Sequence, residues 1–317
     1  MTAPPGEAGT IAAGTGLRDV APEVPSAPAR GSGSVGSEGP EWTRGRVLRW
    51  RLRRWLFSPE APLMALGFAL ALGAWYLTVD VLELPRFRAL PGPTEVISEW
   101  TSRDPAYGTS IFTSSYYTDI WMSVRRVAIA FGFALALGIP LGLAMGASAR
   151  FRHYSFPVLE LLRPIPILAW VPLAILMFQT DEAPVVFLTF LAAFFATTLN
   201  TLLGVQSIDE NLLRAARCLG APPWRVFRTV IVPGALPYIF TGLQVAVGVA
   251  WFSLVAGEMI AGQHGLGYLI NSSYTTTRYP TIVIAMITLG VIGFLSSAAV
   301  RAVGNRLMAY RTRGGGR

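Results

Sequence analysis

Residues 207–237, SIDENLLRAARCLGAPPWRVFRTVIVPGALP, form a polar, arginine-bearing stretch of helical-hairpin length lodged between two strongly apolar ones. Ser207 and Glu210 stand in the Ser-x-x-Glu capping-box pattern, which starts a helix directly after the preceding apolar run. Leu212, Leu213, Ala216 and Leu219 continue that helix on an apolar face, and Gly220 suits the left-handed position just past its end. Pro222 and Pro223 then force a turn before a new helix opens. In it Trp224, Phe227 and Ile231 recur at i, i+3 and i+7, with Arg225 and Arg228 offset from them. The expectation is a short helix, a glycine hinge and an aromatic-faced second helix protruding from an apolar chain. An amphipathic connector lying along the membrane is the plainer alternative.

Bulk composition supports the same class. The chain is 52% hydrophobic and 14% charged over 317 residues, where soluble domains carry about 25% charged residues. That describes an all-α, multi-spanning membrane protein. All 26 basic residues are Arg, since no Lys occurs. A P-loop needs its Lys on the phosphates and Schiff-base catalysis needs an amine, so both are excluded. Cys218 alone cannot form an internal disulfide, and the distant His153 and His264 make no metal-ligand spacing. No nucleophile, metal or cofactor constellation is visible, so the chain reads as a protein that is not an enzyme.

Residues 1–40 are rich in Gly, Pro, Ala and Ser without an apolar run, and read as a disordered tail. A secretory signal would need an apolar core after basic residues, so the first membrane helix is expected to be uncleaved. In the segment 41–58, Leu48, Leu52, Trp55 and Leu56 share one helical face while Arg46, Arg49 and Arg53 lie elsewhere. This reads as an interfacial helix on anionic headgroups. Its position directly before an apolar span argues against nucleic-acid binding by the same arginines.

The membrane domain, 59–313, holds six apolar stretches: 61–80, 124–147, 158–178, 184–205, 234–260 and 280–303. Each meets the length of about 20 residues that a hydrocarbon core about 30 Å thick demands, and each must be helical because lipid offers no partner to free backbone groups. Arginines cluster in 44–54, at Arg150 and Arg152, in the 206–233 loop, and at Arg301, Arg306, Arg311 and Arg313. The opposite segments hold only Arg86, Arg88, Arg103 and Arg278. The positive-inside rule then places both termini and the 206–233 loop in the cytoplasm of a cell-membrane protein. Arg125 and Arg126 are the exception near an outer end, where they either snorkel or mark a later start of that helix.

Gly138, Gly142 and Gly146 recur at four-residue spacing after Ala134, a small-residue ridge of the kind that lets helices approach closely in lipid. Gly242, Ala246 and Ala250 repeat the pattern in the fifth span. The third begins Arg163-Pro164-Ile165-Pro166 and contains Trp170 and Pro172. Broken helices at membrane depth occur against protein or a water-filled cavity, so Pro166, Trp170 and Pro172 are candidates for a translocation path, while the interfacial start of a helix is the alternative. Glu258 is the clearest intramembrane carboxylate; it is either functional or structurally hydrogen-bonded near the outer boundary. Asn200, Gln244 and Trp251 could line the same path or bond between helices. The scarcity of midplane charges argues against a proton- or sodium-driven carrier, and so for a driving force entering from outside the chain.

The Ala215-Ala216 pair, Gly220 four residues on, and Val230-Ile231-Val232-Pro233 resemble the signature loop of membrane subunits of binding-protein-dependent ABC importers, with Arg214 in place of the usual Glu. Segments 163–178, 205–221, 236–260 and 265–270 are similar to the nitrate, sulfonate, taurine and bicarbonate branch of these type I permeases. The resemblance covers about residues 61–313 and leaves out the first 40. It implies a homodimer bound to two ATPase subunits, which use ATP and Mg, and to an extracytoplasmic solute-binding protein, with no cofactor on this chain. It also implies that Arg214, Ala215, Ala216, Gly220, Trp224, Arg225 and Pro233 face the ATPase. Small oxyanions are the implied cargo; related permeases carry thiamine-precursor pyrimidines or riboflavin. A secondary transporter or channel is the competing class.

Overall fold

The computed structural model describes residues 60–82, 85–87 and 89–308; the expected tail 1–40 and basic segment 41–58 lie outside them. Met64–Arg317 form one compact unit, and of Met1–Leu63 only the opening turn of a helix is described. All regular elements among the described residues are helical. Helix α1 (Glu60–Tyr76) runs into a π-helical turn, Leu77–Val81. Leu63, Met64, Leu66, Phe68 and Leu70 leave it apolar all round and exposed in the single chain, as suits a helix meant for lipid or for a partner. The short α2 (Pro93–Thr101) follows, with proline in its first turn.

Three long helices make the core. Helix α3 (Ser114–Ala147) lies parallel to α6 (Glu182–Gln206): Gly138 meets Thr197 and Thr198, Gly142 meets Thr198 and Thr201, and Gly146 meets Val205. A Cβ on Gly142 would stand 2.6 Å from the Thr198 carbonyl oxygen, so the two backbones can approach this closely only without a side chain there. Helix α9 (Val232–Ala261) runs antiparallel to α6, with Gly242 against Asn200 and Ser253 Oγ donating to the Leu188 carbonyl. Where the three cross, Ala134, Ala193, Ala246 and Ala250 pack together, so small side chains draw the bundle tight at mid-depth.

The third apolar stretch, expected as one span over 158–178, is instead two helices. Helix α4 (Ala149–Leu162) ends before the four-residue break 163–166, and a 3-10 turn, Ile167–Trp170, leads into α5 (Val171–Met177). The two arms meet at 88°. Pro164 and Pro166 each lack an N–H, and each disfavours helical backbone at the residue before it, so the ladder cannot cross this tetrapeptide. Among the described residues, five helices are long and apolar enough to cross a membrane, and the bent pair, counted as one broken span, brings the number to six.

Beyond α6 come α7 (Glu210–Cys218) and α8 (Pro223–Val226), the latter joined through a π-helical turn, Phe227–Ile231, to α9 in one span, Pro223–Ala261. Helix α10 (Leu266–Thr275) and the closing α11 (Tyr279–Leu307) follow. Helix α3 begins at Ser114, ten residues before the expected span, so Arg125 and Arg126 lie well inside it. Arg126 does not snorkel: its residue is 1% exposed.

Candidate functional site

The hairpin of α7 and α8 is closed by backbone hydrogen bonds. Ala221 N–H donates to the Ala216 carbonyl (3.1 Å) and Gly220 N–H to that of Arg217 (2.9 Å), the paired bonds of a Schellman motif. Gly220 takes φ +74°, a left-handed value that glycine adopts without Cβ strain. The start of α7 corrects the capping-box expectation. Asp209, not Ser207, is the N-cap and accepts from Asn211 N–H at 2.9 Å, while Ser207 Oγ donates back to Gly204. The two-residue shift puts an acidic side chain at the helix N-terminus, where it also meets the positive end of the helix dipole.

Arg214 bonds its own helix neighbour Glu210 at 2.9 Å, and both are exposed. Ala215 and Arg225 are exposed and Ala216 half-buried, while Pro233 sits in the first turn of α9. Leu219 and Trp224 are 87% and 68% exposed, and Trp224 stacks on Phe227 with centroids 5.7 Å apart. The tip thus presents a leucine and a tryptophan beside arginines. Such large exposed apolar side chains set in a polar rim mark a surface for a protein partner.

Beside the hairpin end of the core, a cavity of about 910 Å³ opens between α4, the proline break, α6 and α9. Arg152, His153, Arg163, Asn200 and Gln206 supply its polar lining, with Phe195, Val245 and Val249 among its apolar walls. Of the path candidates only Asn200 lines it; its Nδ2 donates to Ala196 O at 2.8 Å. Pro166 and Pro172 are exposed, and Trp170 packs on the cluster of Val171, Ala174 and Leu188; the break borders the cavity through Arg163 and Ile167 instead. Gln244 is half-buried and off the lining. Trp251 is 8% exposed between α9 and α11 and donates to Ser296 Oγ at 3.0 Å, an interhelical bond.

Glu258 sits at the opposite end, fully buried in a polar cluster instead of facing a cavity. Arg126 Nη1 donates to its Oε1 at 2.7 Å, Ser123 Oγ lies 2.9 Å from both oxygens, and Gly267 N–H donates to Oε2 at 2.9 Å. Arg126 also pairs with Glu182 at 2.5 Å and donates to the His264 carbonyl, while the half-exposed Arg125 adds a 3.2 Å contact to Glu182. Asp119 accepts from Gly265 N–H, and Ser123 Oγ accepts from Leu266 N–H. Three consecutive amides at the start of α10 are thus held by side chains of α3 and α9. Gly265 has φ +117°, and a Cβ there would collide with the Glu258 carboxylate. Sequence reasoning singled out Glu258 but missed its partners. The missed signal was the spacing of Asp119, Ser123 and Arg126, which share one face of a span, together with the rule that a buried charge needs an opposite one.

These features define a class: a helical membrane protein with a tight small-residue core and a hairpin that exposes Leu219 and Trp224 on one face. Residues 138–309 match the family described as binding-protein-dependent transport system inner membrane component, and the chain belongs to that family. It is 34% identical over 270 residues to the taurine transport system permease protein TauC of Escherichia coli K12, covering 85% of this chain and 96% of that protein. To the nitrate import permease protein NrtB of Leptolyngbya laminosa it is 32% identical over 246 residues, 77% and 86% of the two chains. A chain of a bacterial alginate ABC transporter, solved with an alginate-bound periplasmic protein, shares the fold at TM-score 0.50 and 15% identity, over 83% of this chain and 98% of that one. The protein is the multi-pass membrane permease of an ABC importer, a transport subunit that works with an ATPase and a substrate-binding protein.

Proposed function

We propose that two copies of this chain, with two ATPase subunits on their hairpins and a solute-binding protein on the opposite face, import a small oxyanion. The favoured cargo is an aliphatic sulfonate, taurine, nitrate or bicarbonate, because the named relatives are taurine and nitrate permeases. Both termini and the 206–233 loop lie in the cytoplasm on this reading, following the arginine distribution. ATP and Mg act on the partner ATPase, since a chain without Lys has no P-loop of its own.

The observation that carries the reading is the closed hairpin with Leu219 and Trp224 exposed at its tip. Ala215, Ala216 and Gly220 form its low-profile side, and Arg214, Arg225 and Pro233 flank the seat. An ATPase groove that takes the tip moves α8 and α9 together when it closes, since the two are continuous. Affinity purification from native membranes tests this. The expected result is co-recovery of a P-loop ATPase and ATP-dependent uptake of one of the named anions in proteoliposomes. Solute flux by the purified chain alone would overturn it in favour of a channel or secondary transporter.

A further inference from the structure

The cavity beside the hairpin end holds an uncompensated positive charge. Arg152 comes from α4, Arg163 from the proline break, and no Asp or Glu is among the residues that line it. Among the described residues neither arginine makes an ion pair. Arg163 is exposed and Arg152 half-buried in the single chain, so both guanidinium groups are open to a solute entering the cavity. Most of the remaining lining is apolar, including Phe156, Ala192 and Leu199, and low-dielectric walls strengthen the field that the two guanidinium groups project into the space.

We infer that this cavity is an anion-binding chamber in which Arg152 and Arg163 hold an oxyanion, with Asn200 and Gln206 as neutral hydrogen-bonding partners. The inference rests on the importer reading above and adds to it where the anion's charge is held on this chain. A guanidinium presents a planar fork of N–H donors that matches two oxygens of a sulfonate, nitrate or carboxylate-like anion at once. The break explains how Arg163 comes to be available. A straight third span would carry it along the helix surface, whereas the 88° bend sets it at the corner where α4, α6 and α9 leave space. The Asn200 side chain is fixed by its bond to Ala196 O, which leaves its carbonyl oxygen and second N–H for a solute or its water. The chamber extends from Arg152 and Gln206 near the hairpin end to Ala192 and Val249 at mid-helix, a depth suited to an ion in transit. An anionic lipid headgroup offers the same chemistry as a free oxyanion, so the test separates the two.

The whole importer, with its ATPase, is placed in nanodiscs of pure phosphatidylcholine and treated with phenylglyoxal, and modification of single arginines is followed by peptide mass spectrometry. Ethanesulfonate or nitrate is expected to slow modification of Arg163 and Arg152 several-fold and to leave Arg225 on the hairpin unchanged. Equal rates with and without anion would overturn the proposal. So would protection that appears only when phosphatidylglycerol replaces part of the lipid, which would make the chamber a headgroup site. In parallel, Arg163→Gln and Arg152→Gln are expected to lower anion uptake in proteoliposomes about tenfold each, the scale of one lost charge-assisted hydrogen bond. ATPase binding should be retained, and Arg163→Lys should recover part of the uptake. Wild-type uptake by both Gln variants would refute the chamber while leaving the importer reading intact. If the wild-type complex moves none of the anions, the cargo class falls, and the protection experiment alone decides whether the chamber binds anions.

Discussion

Arg126 Nη1 lies 2.7 Å from Glu258 Oε1, with side chains 2% and 0% exposed, and Arg126 turns its other side to Glu182. One guanidinium therefore joins α3, α6 and α9 at the end remote from the hairpin. Glu258→Ala would strip Arg126 of its fully buried partner and leave the Gly267 N–H without its acceptor, and breaking a buried pair from one side costs about 3–5 kcal/mol. The expected outcome is that the amount of assembled complex and the uptake fall together. Arg126→Leu combined with Glu258→Leu should recover assembly relative to either single change, because no buried charge is left unpaired and the half-exposed Glu182 keeps its contact to Arg125. Thermal inactivation of the detergent-solubilised complex is the measurement, and a double variant weaker than both singles would contradict the account.

Gly220→Val should leave the six crossings inserted while straining the hairpin by about 1–2 kcal/mol, since a β-branched residue resists the left-handed backbone at φ +74°. Ala216→Trp should act at the same face by blocking the seat. For both, the ratio of uptake to ATP hydrolysis in proteoliposomes is expected to drop. Gly220→Asn should retain most of that ratio. Unchanged coupling in all three variants would make the hairpin a mere connector.

Glycines in the core separate cleanly by what a side chain would meet. Gly142→Val forces its branch into Thr198 and Thr201 and should cost about 1–3 kcal/mol of bundle stability by overpacking. Gly132→Ala and Gly248→Ala meet nothing within 4 Å and should be neutral in the isolated chain. Urea or heat titration of the purified permease would rank them, and an equal loss at all three positions would argue against the parallel packing of α3 on α6.

At the entry to α7, Asp209→Ala should weaken the helix by about 1 kcal/mol and Ser207→Ala by much less. Hydrogen exchange across 210–218 reads the difference directly. Greater deprotection in the Ser207 variant would restore the capping box as the starting signal.

Orientation can be read from the chain's single cysteine, which is exposed on the hairpin. A membrane-impermeant maleimide should label Cys218 only after permeabilisation, and should label Thr180→Cys, made in a Cys218→Ser background, from outside in intact cells. Labelling in the reverse order would invert the topology.

The element types and the hairpin were legible from residues 207–237 because short-range chemistry dictates them: a glycine past a helix end, paired prolines, and aromatic spacing. The small-residue ridge was legible for the same reason, since Gly138, Gly142 and Gly146 recur at a helical period. Two other features depend on contacts distant in sequence. Arg126 and Glu258 are 132 residues apart, and nothing local to either announces the other. The cap at Asp209 rather than Ser207 follows from where α6 ends, at Gln206 with Ser207 turned back onto Gly204. The proline break was visible, but its angle was not, because the direction of the second arm is set by packing of Val171 and Ala174 on Leu188.

The continuity of α8, the π-helical turn and α9 carries a mechanical consequence. A span of 39 residues is a rod of about 58 Å at 1.5 Å per residue, with Trp224 near one tip and Glu258 near the other. Gly242, where α9 crosses Asn200, lies 18 residues from Trp224, about 27 Å along the rod. Close contact holds the rod against α6 there, while ion pairs grip the far tip. Leverage applied at the tryptophan would therefore swing the near arm around a charged anchor, and the walls that swing are Val245 and Val249.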